Sequence, residues 1–295
     1  MSLRNRLEAA LAGTGLAVLR RMGPVAASNF GGWVARTIGP LLPVSRVADA
    51  NLRAVMPELD LAARRRVVRG VWDNLGRTVG ELPHIGQLSR TATGPGWEIE
   101  GEVIGRALAA AGGPVILVSG HIGNWEVLPR VAAALGLPIA NFYRAASNPI
   151  IDAMIIALRQ EAAGIAPPQP HFAKGAAGAR AALAHLAGGG RVGMLVDQKM
   201  NDGIAVPFLG RPAMTAPAAA ALALRFGCPV VPAHVQRLGP ARLRVVCEPP
   251  LPLPASGDRR ADVAALTLAI NLRLEAWIRA RPDSWLWLHR RWPRP

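Results

Sequence analysis

Apolar and polar residues follow one another along this chain in a rhythm that changes several times. Leu3, Leu7, Leu11 and Val18 recur near helical spacing, with Ala10 and Thr14 beside them, and predict an amphipathic helix over the first 21 residues. Residues 22–45, which carry Trp33 and break at Leu41-Leu42-Pro43, predict a second short apolar element. Val67, Val68, Val71, Leu75 and Val79 predict a helix over 62–82, with Arg64, Arg65, Arg66 and Arg69 around them. The period then shortens. Residues 97–100 alternate as a short strand, and Pro-Val-Ile-Leu-Val-Ser at 114–119 is the β-branched run of a buried strand. Helices are predicted at 103–111, 125–135, 148–163, 174–187, 216–226 and 263–280, and strands at 139–143, 192–196, 230–235 and 243–247. Several helices end in glycine, at 112–113, 136 and 188–190. Strands that alternate with helices predict an α/β fold, a mainly parallel sheet covered on both faces.

A spanning helix needs about 20 consecutive apolar residues. From Met22 to Ala35 only 14 residues lie between arginines, and Ala107 to Trp125 is cut by Gly112-Gly113-Pro114. No segment is therefore expected to span a bilayer. The first helix is expected either to lie in a membrane interface or to pack on the protein's own core. These patterns divide the chain into an apolar, amphipathic, membrane-associating helical part over 1–60 and an α/β domain over 61–295.

Composition sharpens this. With 51% apolar and 18% charged residues, disorder and coiled coil are excluded as classes. The formal charge is +15, almost all from arginine, since lysine occurs only at Lys174 and Lys199. Anionic partners are expected. The 8 tryptophans outnumber 5 phenylalanines and 1 tyrosine, a bias that suits the headgroup layer of a membrane. Nucleic acid is not expected, because the arginines are dispersed and no binding motif or interleaved stacking aromatics accompany them. Cys228 and Cys247 sit in apolar stretches and read as buried hydrophobes, so neither a disulfide framework nor a metal site is expected. With no secretory signal at the N-terminus, the expected setting is cytoplasmic and reducing.

The candidate chemistry lies where the 114–119 strand ends, at Ser119-Gly120-His121-Ile122-Gly123-Asn124-Trp125-Glu126. In α/β sheets such strand ends gather functional residues. His121 and Glu126 are separated by four residues across a turn with two glycines. If Glu126 swings back from the first helical turn to the imidazole, it fixes the tautomer and makes the other ring nitrogen a base for an alcohol. The alternative is a helix-capping histidine beside an ordinary first-turn acid. There is no Gly-x-Ser-x-Gly elbow, and neither cysteine has an adjacent histidine, so direct attack by an activated substrate hydroxyl is expected rather than a covalent acyl-enzyme. The unpaired N–H groups that open the following helix would stabilise an oxyanion or hold a phosphate.

Gly120-His-Ile-Gly-Asn-Trp-Glu126 resembles the His-x4-Asp/Glu block of the bacterial late acyltransferases of lipid A, the lauroyl/myristoyl transferases, which phosphatidylinositol-mannoside acyltransferases also resemble. The resemblance continues at Tyr143-Arg144 with Asn148-Pro149, at Asp197-Gln198, at Val206-Pro-Phe-Leu-Gly210, and at Trp285-Leu-Trp-Leu-His-Arg-Arg-Trp292. It implies a glycerolphosphate-acyltransferase-like α/β fold at the cytoplasmic face of the inner membrane, peripheral or monotopic. It also implies transfer of a fatty acyl chain from an acyl carrier protein thioester to a hydroxyl of an anionic lipid A precursor, with no cofactor and no metal. His121 would be the general base and Glu126 its partner. Arg144, Arg159, Asp197, Gln198 and Asn124 would serve substrate binding, Asp197 and Gln198 as pocket lining or support for the dyad. Phe208 and Gly210 would shape a loop, and Arg290 and Arg291 would meet headgroups or belong to a packed C-terminal helix. Many family members begin with a spanning segment, and this chain has only broken apolar stretches. Acylation of another glycolipid or lysophospholipid, or a catalytically silent lipid-binding module, stand as alternatives.

Overall fold

The computed structural model describes residues 2–292; Met1 and the last three residues of the domain expected over 61–295 lie outside the described residues. Four helices come first: α1 (Leu3–Arg21), α2 (Pro24–Ile38), α3 (Ser45–Val55) and α4 (Leu61–Glu81). An α/β succession follows: β1 (Gly96–Glu100), α5 (Glu102–Ala111), β2 (Val115–Ser119), α6 (Leu128–Ala134), β3 (Ala140–Tyr143), α7 (Pro149–Ala163), β4 (His171–Ala173), α8 (Ala176–Ala187), β5 (Arg191–Leu195), β6 (Lys199–Phe208), β7 (Arg211–Thr215), α9 (Ala218–Phe226), β8 (Val230–Gly239), β9 (Arg242–Cys247) and α10 (Arg259–Ala280). Caps written in the sequence start several helices. Asp60 accepts from the Ala63 N–H at 2.6 Å, and Asn148 and Asp258 cap α7 and α10 in the same way.

The sheet has seven strands in the order β1-β9-β8-β2-β5-β3-β4. Every neighbouring pair is parallel except β8 with β9. β2 and β5 lie side by side near the middle, with Ser119 opposite Leu195. Each is buried along most of its length, which is why both read as continuous apolar runs. Helices flank the sheet, and strands alternate with helices as read from the sequence, apart from the added β4 and the β6–β7 hairpin. The described residues hold no helix long and apolar enough to cross a membrane. Both cysteines are free and buried, and burial pushes the Cys247 thiol up to about 11.

Several elements differ from the sequence expectation. The helix expected over 125–135 begins as a 3-10 turn at Trp125–Val127 and becomes α-helical only at Leu128. Helix α3, the three-residue β4 and the β6–β7 hairpin were not anticipated. The N-terminal half of β6 is polar and exposed, so no alternation marks it, and β4 is too short to show a period. The hairpin contains Phe208, read as a loop-shaping residue; it is instead a fully buried strand residue stacked on Trp292. Residues 285–292 are not a helix but an irregular strap. Arg291 in that strap is completely buried, donating to the Met214 carbonyl and the Thr215 hydroxyl with its guanidinium over the Phe208 ring. It is therefore unable to meet headgroups.

The N-terminal helices sit on the α/β body through close contacts. Gly31 and Gly76 face each other where α2 crosses α4, and a Cβ on either would run into the other's carbonyl oxygen. Such an approach needs glycine on both helices. Helix α1 rests on α7, with Arg20 bonded to Glu161 at 2.5 Å and the Leu19 carbonyl to His84 Nε2 at 2.9 Å. Its apolar face points away from the body: Leu3, Leu7, Leu11 and Val18 are all exposed.

Gly76→Val should force the two helices apart and cost about 1–3 kcal/mol, the usual range for overpacking. Urea unfolding of the variant, with an unchanged slope and an earlier midpoint, is the expected result.

Candidate active site

Parallel register brings two distant residues together. Ser119 and Leu195 end β2 and β5 opposite one another, and Val196 N–H donates to the Ser119 carbonyl at 2.9 Å. Two residues beyond each strand end stand His121 and Asp197. The Asp197 carboxylate accepts the His121 ring Nδ1–H at 2.8 Å, the His121 backbone N–H at 2.8 Å and the Trp285 indole N–H at 2.7 Å. It is fully buried. Burial alone would raise its pKa, but the facing His121, bonded through both ring and backbone, together with His289, outweighs it and holds the carboxyl well below the usual aspartate range. An ionised carboxylate only accepts, so Nδ1 carries the proton and Nε2 is left as the base.

The loop that presents His121 is held on three sides. Gly123 has φ 61°, and a Cβ there would strike the Val235 carbonyl, so glycine is required. The C-terminal strap runs alongside: Ile122 and Trp285 form an antiparallel bridge, Gly123 N–H donates to the Ser284 carbonyl and Leu286 N–H to the His121 carbonyl, both at 3.0 Å. Trp125 packs edge-on to the imidazole with ring centres 5.0 Å apart.

The third support is a buried polar network that sequence reasoning missed. Asn74, Thr78 and Glu81 share one face of α4, and all three are buried. The Glu81 carboxylate accepts from Ser28 at 2.6 Å, Asn124 at 2.7 Å, the Ala241 N–H at 3.0 Å and the Arg237 guanidinium. Arg237 also reaches Asn74 and Thr78, and Asn74 donates to the Gly123 carbonyl at 2.9 Å. The signal was present: three polar residues at i, i+4 and i+7 lie within a helix otherwise noted for its valines.

Glu126 does not meet His121 as the spacing predicted. The chain leaves the loop through a 3-10 turn, and the described hydrogen bonds of this carboxylate go to Arg159 and Trp125. Arg159, on α7, grips it with two bonds, at 2.8 and 2.6 Å. Burial would lower the Arg159 pKa, but Glu126, with Asp152 and Tyr143, reverses this and keeps the guanidinium charged. Asn124 is completely buried; its amide donates to Glu81 and its carbonyl accepts the Glu126 N–H at 3.2 Å. It is a cap rather than part of the cleft wall, and it occupies one of the helix-opening N–H groups expected to face substrate.

A cleft of about 300 Å³ opens in front of these groups. One end is polar, with His121, Glu126, Arg159 and Gln198, and the rim carries Arg144 and Lys174, both exposed and without an ion-pair partner among the described residues. Lys174 was not singled out from the sequence. The rest of the wall is largely apolar, including Leu117, Ile139, Phe142 and Met194. Leu117, Leu128 and Ile139 also border a small apolar crevice between the sheet and helices α5 and α6. The arrangement offers a fixed base, a pair of free cations and a hydrocarbon-like wall in one cleft. No group of three or more potential metal ligands occurs among the described residues.

A family described as bacterial lipid A biosynthesis acyltransferase matches residues 5–294. No curated protein matches the chain.

Asp197→Asn should release the imidazole from its single tautomer. Nitrogen-15 NMR of the His121 ring is expected to show a protonated Nδ1 in the unaltered chain and a mixture in the variant. Glu81→Ala leaves a half-buried Arg237 without its acid and the Asn124 amide without its acceptor, and should cost about 3 kcal/mol in urea unfolding.

Proposed function

The chain belongs to the bacterial lipid A biosynthesis acyltransferase family, and from that membership we propose a specific reaction: transfer of a fatty acyl chain from the thioester of acyl carrier protein to a hydroxyl of an anionic lipid A precursor. The observation that carries this reading is the buried Asp197 carboxylate on His121 Nδ1, 2.8 Å away, at the mouth of a half-apolar cleft. Nε2 takes the acceptor's hydroxyl proton as the oxygen attacks the thioester carbonyl carbon. The tetrahedral intermediate collapses with loss of the C–S bond, and the imidazolium returns the proton to the departing thiolate. Products are the ester and the free carrier thiol. No cofactor or metal takes part.

Within the His-x4-Glu block the tasks divide. His121 moves the proton, oriented by Asp197. Glu126 fixes Arg159 on the wall, so that a charged guanidinium faces the reacting groups. Arg144 is the phosphate contact, joined by Lys174, because a cation already gripped by a carboxylate has less to give an incoming anion. Gln198 supplies a neutral donor near the developing oxyanion. The acyl chain follows the apolar wall toward the Leu117–Leu128–Ile139 crevice, as a glycerolphosphate-acyltransferase-like domain over 61–295 would require.

Residues 1–60 dock this domain on the cytoplasmic face of the inner membrane. Leu3 (84% exposed), Leu7 (62%) and Leu11 (67%) on α1 and Trp33 (55%) on α2 are apolar side chains turned outward, and α1 also carries Arg4, Arg6, Arg20 and Arg21. Such side chains lie in an interface without crossing it. The same positive charge draws acidic carrier protein and anionic lipid toward the cleft.

His121→Ala should lower acyl transfer by about 10²–10⁴-fold while vesicle binding is kept. The assay presents acyl carrier protein thioester with a panel of acceptors; an unchanged rate removes His121 from the mechanism, and preference for a lysophospholipid or other glycolipid changes the acceptor. Alkaline carbonate or high salt should strip the protein from membranes, and resistance to both would argue against interfacial docking.

A further inference from the structure

A second cavity, of about 460 Å³, lies outside the cleft just described and shares no lining residue with it. Three separate parts of the chain build it: α3 with Pro43 before it, the start of β7, and the C-terminal strap. Arg46 and Arg53 stand two turns apart on α3, Arg211 comes from the hairpin and Arg290 from the strap. All four are exposed, and none forms an ion pair among the described residues. Among the described residues, no acidic one lines the groove. Asp49, the acid on the same helix, is taken by Arg64 at 2.7 Å. Between the arginines the floor is largely apolar, with Val47, Ala50, Ala54 and Trp292.

Four guanidiniums around one groove repel each other, and nothing in the described chain neutralises them. Their common complement is an anion, and the forked donors of arginine suit phosphate oxygens. The apolar floor requires more than a bare ion. Immediately upstream, Ile38 (52% exposed), Leu41 (82%) and Leu42 (41%) lead through Pro43 into the groove's edge. An apolar tip continuous with an arginine basin is the form that fits an amphiphile at a bilayer surface, with its tails beside Leu41 and its charged head among the arginines.

We propose that the α3–strap groove binds the phosphate-bearing headgroup of an anionic membrane lipid, at a site separate from the acceptor cleft. The proposal rests on the reading that residues 1–60 meet a membrane and adds which lipid chemistry they meet there. An acidic helix of a protein partner would also match the charge, but it has no use for the exposed apolar tip.

Sedimentation with phosphatidylcholine vesicles, with and without phosphatidylglycerol, tests the groove. The variant is Arg46→Gln with Arg53→Gln, and the control is Arg180→Gln with Arg260→Gln, which removes the same charge from exposed positions elsewhere. Melting curves of both should match the unaltered chain. The groove pair should weaken binding to phosphatidylglycerol vesicles by about 30-fold, the factor that about 1 kcal/mol for each of two basic residues represents. The control should lose far less, and binding to pure phosphatidylcholine should be unchanged. If the unaltered chain ignores both vesicles, the docking reading and the groove fall together. If it binds and the two variants behave alike, the groove alone falls. If the groove pair loses acyl carrier protein binding and keeps phosphatidylglycerol binding, the site is a protein contact and the proposal is overturned.

Discussion

One buried carboxylate organises the centre of this molecule. Asp197 has no access to water, and a bare charge there would be prohibitively unstable. It persists because three N–H groups converge on it from three directions: the imidazole, the backbone behind it, and the Trp285 indole. Each donor is thereby fixed. The histidine is held in one tautomer, its loop is tied to the end of β5, and the C-terminal strap is pinned against both.

The tryptophans acquire a meaning from this arrangement that composition alone did not suggest. Trp285, Trp287 and Trp292 are buried, packed around Phe208 and one another, and form the wall behind the carboxylate. They serve the site from within instead of lying in a headgroup layer. Trp33, exposed on α2, is the tryptophan that suits an interface. The arginines divide in the same way. Arg159, Arg237 and Arg291 are held by carboxylates, hydroxyls or carbonyls of the fold, while Arg144 and the four around the α3 groove are exposed, with no ion-pair partner among the described residues.

Burying so many polar groups has a stability cost unless each is bonded. The Glu81 network meets that condition: its groups bond to one another, to the Ala241 N–H and the Ser284 carbonyl, and to Gly123 and Asn124 of the loop between β2 and α6. Its members come from α2, α4, β8 and the loop itself, so the N-terminal helices and the loop that carries His121 are mechanically one unit. The close crossing of α2 and α4 at Gly31 and Gly76 is what lets Ser28 reach Glu81.

The local code was legible where it is local. Apolar periodicity and glycine stops marked most helices and core strands, and the β-branched run of 114–119 put His121 just past a strand end. It also placed Asp197 at the end of another strand. What no spacing reveals is that those two ends adjoin: 76 residues separate the partners, and their contact depends on which strands neighbour each other and in what register. Glu126, five positions along, was the natural guess from proximity in the chain, yet a 3-10 turn sends it to Arg159 on α7. The arginine groove was likewise beyond reach, and the polar face of α4, visible as a spacing, did not name the groups it meets. Periodicity reports which face of an element is buried, whereas the partner it meets is set by the packing of distant segments around a common core.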